Sequence, residues 1–440
     1  MPVIVVIGHT DVGRRTCALL SARGVATHHL DDPTDAELRE ALTADVDGVA
    51  VLLHDDMRAL RYCLVVEHVR PGIRLFVAMF DGTARAQLEK SVPNCVVLSP
   101  ASIAVPSMVA AAIAPGHVAV RRRGATTQKR WVTIDAEPGV EQANIQDFET
   151  PSAMKRRGII GILRGQLRPY DSGSAVLLGG AFGLLLVIVV DMLVGLRHES
   201  LIRALYNAAR TTATIAAPEL PEEPGVLLWG TIAALLVMGF TAAFAAGIVN
   251  HLLSGRHVAL IGRRVIPRSG HVVVVGMGQV GVRLAQELRS LGVAVVGVEK
   301  YGDAPALPIA RDLGIAVAIG DATSRRILRR AGLPKAVAIV AAASEERDNI
   351  AVSISAQAVA EDVTVVIRAG ADDAIDETRS LFHIGSVVDV NGLTSAFVAQ
   401  AMTDVAPYVV ISVDDRMLAL DQDGTVTAVM SGAMVRCACT

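Results

Sequence analysis

Residues 271–300 read HVVVVGMGQVGVRLAQELRSLGVAVVGVEK, and their pattern indicates how this part of the chain folds. Its four consecutive valines predict a buried strand, and the apolar positions that follow the glycines, among them Val282, Leu284 and Leu288, recur at the spacing of an amphipathic helix. A second apolar run ends at Glu299. A strand, a glycine loop, a helix and a second strand in this order predict the first βαβ unit of a dinucleotide-binding fold.

The glycine loop has the residue types that binding of a pyrophosphate requires. Gly276 permits a tight turn, Gly278 lets the backbone approach the phosphates, and Gly281 lets the helix pack close to the sheet. Free N–H groups at the start of the helix then face the anion. Glu299 is placed to accept hydrogen bonds from a ribose diol, and its charge would repel a 2′-phosphate.

The loop therefore predicts a site for an adenine nucleotide, with NAD(H) as the first choice and ATP or ADP as alternatives. A degenerate scaffold that keeps its glycines only for packing is the competing interpretation. The candidate binding residues of this unit are Gly276, Met277, Gly278, Gln279, Gly281 and Glu299.

Three further apolar runs continue the alternation of strands and helices: IAVAIGDAT (315–323), AVAIVAAAS (336–344) and VTVVIRAG (363–370). They predict a doubly wound parallel sheet. The glycine loop, the acid that ends the second strand and the GDAT after the third together resemble the domains called regulators of potassium conductance (RCK, or TrkA-N), over roughly residues 269–402.

That resemblance implies further residues of the nucleotide site. Asp321 and Thr323 are expected at the mouth of the cleft near the adenosine, and Arg368 is expected to face the phosphates. A surface ion pair is the alternative for Arg368.

The N-terminal part of the chain repeats the same pattern. Residues 2–32, PVIVVIGHTDVGRRTCALLSARGVATHHLDD, again give a strand, a glycine loop, a helix and a strand, but Thr10 replaces the middle glycine. The chain after Asp31 is also too short for the βα unit that carries the GDAT segment. Residues 1–116 are thus predicted to be a degenerate RCK-like domain with a structural role and no bound nucleotide.

The composition points to a membrane protein with soluble parts. The 440 residues are 52% hydrophobic and 19% charged, with a mean hydropathy of +0.46, which is too apolar for an ordinary soluble chain. The formal net charge of −3 gives no polybasic surface that would favour nucleic acid as a partner. Five cysteines lack metal-ligand spacing, so no metal site is expected.

Two apolar segments, residues 174–190 and 225–250, are long enough to span a bilayer. A buried hairpin in a soluble core is the alternative. Basic residues precede the first segment and follow the second, which predicts a multi-pass protein of the cell membrane with both termini in the cytoplasm. Asp191 lies either within the first span or at the outer headgroups; an intramembrane carboxylate usually faces a cavity or a partner.

The loop between the two spans resembles the pore region of two-span potassium channels. Residues 201–214 resemble their approach helix, and residues 214–219, TIAAPE, align on the filter sequence T-V-G-Y-G-D. Both glycines are lost, and proline cannot adopt the filter backbone. The resemblance implies a wider, poorly potassium-selective pathway, whereas a plain extracellular loop is the alternative. The candidate pore residues are Thr211, Thr212, Thr214, Ile215, Ala216, Ala217 and Glu219.

The predicted fold class is α/β plus membrane α: two Rossmann-like, doubly wound parallel-sheet domains flank a two-helix transmembrane unit with a pore-loop-like segment. The predicted divisions are the degenerate domain at 1–116, a basic linker with a possible interfacial helix at 117–173, the membrane unit at 174–253 with its pore-loop-like segment at 201–220, a linker at 254–268, the nucleotide domain at 269–402 and a β-rich tail at 403–440.

These features predict a nucleotide-regulated membrane ion channel. One alternative is a nonconducting, membrane-anchored NAD-sensing regulator. A membrane-anchored NAD-dependent oxidoreductase would need a substrate domain and a proton donor, for which only His383 is available, so neither a catalytic residue nor an enzyme is expected. The expected partners are monovalent cations, an adenine nucleotide and the lipid bilayer, and the RCK resemblance implies a homo-oligomer, namely a tetramer.

Overall fold

A computed structural model describes residues 2–42, 45–80, 82–123, 130–152, 154, 172–197, 199–213, 215, 223–253, 266–370, 385–414 and 416–430. The chain divides into two compact units. One unit joins Met1–Arg156 with Ile266–Thr440, and the other is Arg157–Val265.

The N-terminal sheet of the first unit has five parallel strands in the order β2-β1-β3-β4-β5. Its central strands are apolar along their length because helices cover both faces. The strands are β1 (Val3–Ile7), β2 (Ala26–Leu30), β3 (Val46–Val51), β4 (Arg74–Ala78) and β5 (Cys95–Leu98). The helices are α1 (Asp11–Ala22), α2 (Asp35–Ala41), α3 (Asp56–Val69), α4 (Gly82–Ser91) and α5 (Pro100–Ile113).

A small antiparallel sheet follows, where the sequence predicts only a linker. It consists of β6 (Ala119–Arg123), β7 (Arg130–Asp135) and β8 (Asn144–Asp147). The expectation of a linker over the whole of 117–173 is therefore wrong for residues 119–147. The arginines of these strands, among them Arg121 opposite Val132, interrupt the apolar pattern in the sequence, although the side chains of Val132 and Ile134 are buried. The predicted interfacial helix, residues 155–170, lies outside the described residues.

The second unit contains the helices α6 (Ser172–Gly195), α7 (Leu201–Thr212) and α8 (Pro224–Leu253). By length and composition, Ala175–Gly195 and Pro224–Val249 are two helices that could cross a membrane. Most of their surface is exposed in the isolated chain, unlike that of a hairpin in a soluble core. Small residues bring α6 and α8 together: a Cβ on Gly183 would lie 2.4 Å from the Phe240 ring.

The C-terminal sheet has six parallel strands in the order β11-β10-β9-β12-β13-β14. The strands are β9 (His271–Val275), β10 (Ala294–Glu299), β11 (Ala316–Ile319), β12 (Ala338–Ala341), β13 (Thr364–Ala369) and β14 (Ser386–Asp389). The helices are α9 (Gln279–Ser290), α10 (Leu307–Asp312), α11 (Arg325–Arg330), α12 (Glu346–Gln357) and α13 (Val390–Thr403), with a 3₁₀ turn at Leu333–Lys335. The two parallel sheets and the two long apolar helices confirm the predicted fold class.

The predicted tail forms a second antiparallel sheet, with β15 (Val409–Val413), β16 (Arg416–Leu420) and β17 (Val426–Met430). It shares one apolar core with the β6-β7-β8 sheet. The buried members of that core are Ala119, Val132, Ile134, Ala136, Val409, Ile411, Leu418 and Leu420. Each small sheet follows the last helix of a Rossmann-like domain, so the described part of the repeat extends beyond residue 116.

The two Rossmann-like domains exchange their last helices. Helix α5 leaves the first domain and packs on α9 and on β12, β13 and β14 of the second domain. Helix α13 leaves the second domain and packs on α1, β3 and β4 of the first. The Phe397 ring on α13 lies 6.1 Å from that of Phe76 on β4, centroid to centroid. One buried cluster therefore runs through both domains.

Candidate functional site

The nucleotide domain has one topological switch point, between β9 and β12, where ligands of open α/β sheets bind. Gly276 follows β9 at this edge and Ala343 follows β12. Gly276 has φ +83, and a Cβ on it would lie 2.7 Å from the Ala343 nitrogen. Both the backbone angle and the close approach thus require glycine at this turn.

The next two glycines of the loop meet different constraints. Gly278 is the N-cap residue of α9, and among the described residues no side chain caps this helix. A Cβ on Gly278 would find no atom of the described residues within 4 Å, so among them the space above the helix start is open. A Cβ on Gly281, by contrast, would lie 2.0 Å from the Gly276 carbonyl oxygen. The first N–H groups of α9 therefore border an open space that suits an anion.

Glu299 ends β10 and contacts the same loop. Its carboxylate accepts hydrogen bonds from the backbone N–H groups of Met277 (2.8 Å), Lys300 (2.8 Å) and Tyr301 (3.3 Å). Met277 is fully buried, and a Cβ on Gly297 would lie only 2.6 Å from its sulfur. Glu299 thus holds the glycine loop in place, and the predicted contact with a ribose stays a prediction.

Asp321 and Thr323 lie at the same edge of the sheet, because β11 pairs with β10 and Gly320 donates its N–H to the Glu299 carbonyl at 2.8 Å. The Asp321 carboxylate accepts from the backbone N–H (2.9 Å) and the hydroxyl (2.8 Å) of Thr323. These bonds hold the pKa of Asp321 below its ordinary value. Both residues are exposed.

Arg368 lies on β13, beside β12, on the other side of the switch point. Its Nη1 atom is 3.5 Å from the carbonyl oxygens of Ala342 and Ala343, and partial burial lowers the pKa of its guanidinium. Its guanidinium thus lies against backbone carbonyls at the end of β12. Whether Arg368 faces phosphates stays a prediction.

Asn349 is a residue of this site that the sequence reasoning missed. It is 1% exposed, accepts the Ala343 N–H at 2.9 Å, and donates to the carbonyls of Ala343 (3.0 Å) and Arg368 (2.9 Å). It therefore joins the ends of β12 and β13. No sequence signal marks it, because this helix carries several other polar residues, among them Asp348 and Ser353.

The glycine loop of the N-terminal domain is held by hydrogen bonds from its own side chains. The Thr10 hydroxyl donates to the Leu52 carbonyl at 2.9 Å and accepts the Gly13 N–H at 3.1 Å, which caps α1. The His29 ring nitrogen lies 2.8 Å from the Gly8 carbonyl oxygen. The Thr10 hydroxyl thus caps the helix at the position that corresponds to Gly278, and the structural role of this domain stays a prediction.

The candidate pore residues lie at and beyond the end of α7. Thr211 and Thr212 belong to its last turn, and their hydroxyls donate to the carbonyls of Asn207 (3.1 Å) and Ala208 (2.8 Å). Ala213 is the C-cap residue of this helix. Ile215 is exposed. Thr214, Ala216, Ala217 and Glu219 lie outside the described residues, so the filter-like path stays a prediction.

Comparison with known proteins identifies the C-terminal domain. The TrkA-N domain family matches residues 272–389. The chain contains a TrkA-N domain. This match confirms the resemblance on which the nucleotide site was predicted, and it covers β9 through β14, the strands that form the switch point.

Two relatives and two solved structures extend the comparison beyond the TrkA-N domain. Potassium channel protein 1 of Methanocaldococcus jannaschii is 21% identical over 208 residues, 45% of this chain and 62% of the relative. An uncharacterized protein of Methanothermus fervidus is 25% identical over 187 residues, 41% of this chain and 29% of the relative. The matched regions thus span less than two thirds of either relative.

The solved structures show similarity of fold. The GsuK channel superposes with a TM-score of 0.51 and 14% identity over 91% of this chain and 63% of that one. The GsuK channel bound to NAD gives a TM-score of 0.50 and 13% identity over the same shares.

Proposed function

We propose that this chain is a membrane protein in which a nucleotide, bound by the TrkA-N domain, regulates ion passage through a pathway formed by the membrane helices. One observation carries the proposal: the uncapped start of α9 borders an open space at the switch point of the sheet, in a chain that also contains two helices able to span a bilayer. The potassium channel protein among its relatives supports the link between the two parts.

In this proposal the nucleotide is NAD(H), with ATP or ADP as alternatives. The pyrophosphate lies over Gly278 and accepts hydrogen bonds from the first N–H groups of α9. The free lone pairs of Glu299 accept from a ribose hydroxyl while the carboxylate keeps its bond to Met277. The GsuK channel of the same fold, which has been solved with NAD, supports this assignment. The nucleotide acts as a regulator, and the chain is assigned no chemical reaction.

The proposed pathway runs past residues 211–219. Glu219 attracts cations at the outer mouth, and the lost glycines leave a pathway wider than that of a selective potassium filter. A ring of four chains encloses it, with the nucleotide domains and both termini in the cytoplasm. The amphipathic α7, with Ala204 and Ala208 buried and Leu205 and Tyr206 exposed, supports a helix that leads into such a pathway.

The test is recording of purified protein in planar bilayers, with and without NAD. We expect cation currents with a low potassium-to-sodium ratio that change on addition of NAD and shrink in Glu219→Gln. In Gly278→Asp the response to NAD should be lost, because the new carboxylate enters the anion site and no atom in the fold obstructs it. Gln286→Glu, which adds the same charge to the exposed side of α9, should respond as the wild type does.

Two outcomes would change the proposal. Strong selectivity for potassium would contradict the widened pathway. A protein that binds NAD in titration calorimetry but stays silent with every nucleotide would instead favour the nonconducting, membrane-anchored NAD sensor.

A further inference from the structure

One arginine of the degenerate domain reaches into the nucleotide domain. The Arg15 side chain leaves α1 and donates from Nη1 to the Asp389 carboxylate at 2.8 Å and from Nη2 to the Gly370 carbonyl at 3.1 Å. The side chains of Arg15 and Asp389 are only 17% and 16% exposed. A planar guanidinium with two acceptors in a partly buried place fixes the position of both acceptors.

Both acceptors lie at the ends of strands in the nucleotide domain. Gly370 directly follows β13, and its carbonyl also accepts from the Asn391 side chain at 2.8 Å. Asp389 ends β14 and caps α13 by accepting the Gly392 N–H at 2.8 Å. Arg15 therefore ties the ends of β13 and β14 to the neighbouring domain.

The tied end of β13 is also a wall of the proposed nucleotide cleft. Arg368 lies two residues before Gly370, and its carbonyl accepts from Asn349, which in turn binds both backbone groups of Ala343. Ala343 lies against Gly276 of the glycine loop. The backbone of β13 and a series of hydrogen bonds and close contacts thus join Arg15 to the glycine loop. A displacement of α1 would be transmitted to the loop through these contacts.

Two other arginines of the same region lack this connection and serve as controls. Arg14 is exposed, and it donates to Asp11 and to the His9 carbonyl, both within the first domain. Arg23 joins the domains at the opposite end of α13, where it donates to Gln400 and Thr403. Because α13 has 14 residues, roughly 20 Å of helix separates this contact from Asp389.

We propose that Arg15 is a positioning residue of the nucleotide site, supplied by the degenerate domain. In this domain Thr10 occupies the position that corresponds to Gly278. The domain instead contributes Arg15, which contacts the β13 side of the cleft in the neighbouring domain. Through Gly370 and Asp389 it keeps β13, and with it Arg368, in the arrangement that receives the nucleotide. The inference rests on the proposed binding of nucleotide by the TrkA-N domain.

The experiment is a titration of the full chain in detergent with NAD, in which calorimetry measures the dissociation constant. We expect Arg15→Ala to raise the dissociation constant about fivefold, and Arg15→Lys, which restores the ion pair with Asp389 but not both bonds, to recover part of the loss. Arg14→Ala should bind as the wild type does. Arg23→Ala should lower the melting temperature without a change in affinity, which separates positioning from general support of the interface.

Asp389→Asn serves as a second variant if Arg15→Ala does not fold. The amide oxygen can still accept the Gly392 N–H, so the cap persists while the ion pair is lost, and the dissociation constant should again rise. Equal affinities of wild type and Arg15→Ala, or equal losses in Arg15→Ala and Arg23→Ala, would overturn the positioning role. A wild-type protein that binds no NAD would contradict the proposed function itself.

Discussion

Thr10 and Gly278 occupy the same position in the two domains, and the difference between them leaves the starts of α1 and α9 in different surroundings. The Thr10 hydroxyl accepts an N–H group of α1, so that helix start is already satisfied. At Gly278 the corresponding groups of α9 border open space. A threonine side chain of three heavy atoms in the first domain thus corresponds to open space in the second, which supports the proposal of one nucleotide site in a duplicated fold.

A buried histidine at the start of β9 makes the fold sensitive to acid. His271 is fully buried, a ring nitrogen lies 3.0 Å from the Ala331 carbonyl, and burial lowers its pKa below the ordinary 6.5. Below about pH 6.5 the unfolded chain binds a proton at His271, whereas the buried ring of the folded chain stays neutral until a lower pH. The free energy of unfolding should therefore have its full value above about pH 6.5 and decrease as the pH falls below it.

Thermal unfolding between about pH 7.5 and 5.5 checks this expectation. His271→Gln should flatten the decrease, although its starting stability should be lower because the ring packs beneath Gly332. His28→Gln, at an exposed histidine of β2, should keep the wild-type slope. A steep decrease that persists in His271→Gln would assign the acid sensitivity to another group.

At the scale of elements, α5 and α13 are the helices whose position could not be read from their own sequences. Both are apolar on nearly all sides, and α13 has 12 buried residues, Thr394, Ser395 and Gln400 among them. Such a helix must be enclosed by more than one sheet layer. The exchange between the two domains provides this enclosure, with the hydroxyl of Ser395 donating to the Val12 carbonyl at 3.2 Å.

The two candidate membrane helices are joined by a polar contact near the end where α6 stops and α8 begins. The Trp229 indole donates to the Asp191 carboxylate at 3.0 Å. Trp229→Phe should therefore destabilise the helix pair by about 1.5 to 3 kcal/mol, because a hydrogen bond to a charged group is lost. The Asp191 carboxylate would also remain partly removed from water without this partner.

Thermal unfolding in detergent measures this loss. Asp191→Asn should be milder, because an amide oxygen still accepts the indole N–H. Trp131→Phe removes the only other tryptophan, which lies in β7 of the other unit, and should leave the helix pair unchanged. Equal stability of Trp229→Phe and wild type would show that the contact does not join the helices.

At the scale of the whole molecule, the two Rossmann-like domains form one cooperative body, because a single buried cluster crosses between them. Phe397 is 2% exposed and packs on Phe76 of the other domain. Phe397→Ala should lower the free energy of unfolding by about 3 to 5 kcal/mol.

In Phe397→Ala, hydrogen exchange of the backbone amides should then accelerate in β4 of the first domain as well as in β13 of the second. Ile354→Ala, which shortens an apolar side chain that is 47% exposed, should change neither. Acceleration confined to the second domain would mean that the domains unfold independently.

Much of the fold and of the site follows from local patterns. The glycine spacing at 276–281, the valine run before it and the acid at 299 predict the strand, turn, helix and strand because each depends on contacts within about thirty residues. Asn349 and Arg15 could not be found in this way, because their partners lie on other strands and, for Arg15, in another domain. The 119–147 sheet was missed because its partner sheet lies almost 300 residues further along the chain.

Local patterns were sufficient to predict the two parallel sheets, the two apolar helices and the glycine loop, since hydrophobic periodicity and the conformational freedom of glycine act over short distances. The tertiary structure was needed to see which helix start borders open space, where α5 and α13 pack, and that Arg15 reaches the end of β13. These features depend on long-range packing of apolar surface, for which many partners have similar composition and only the assembled core selects one.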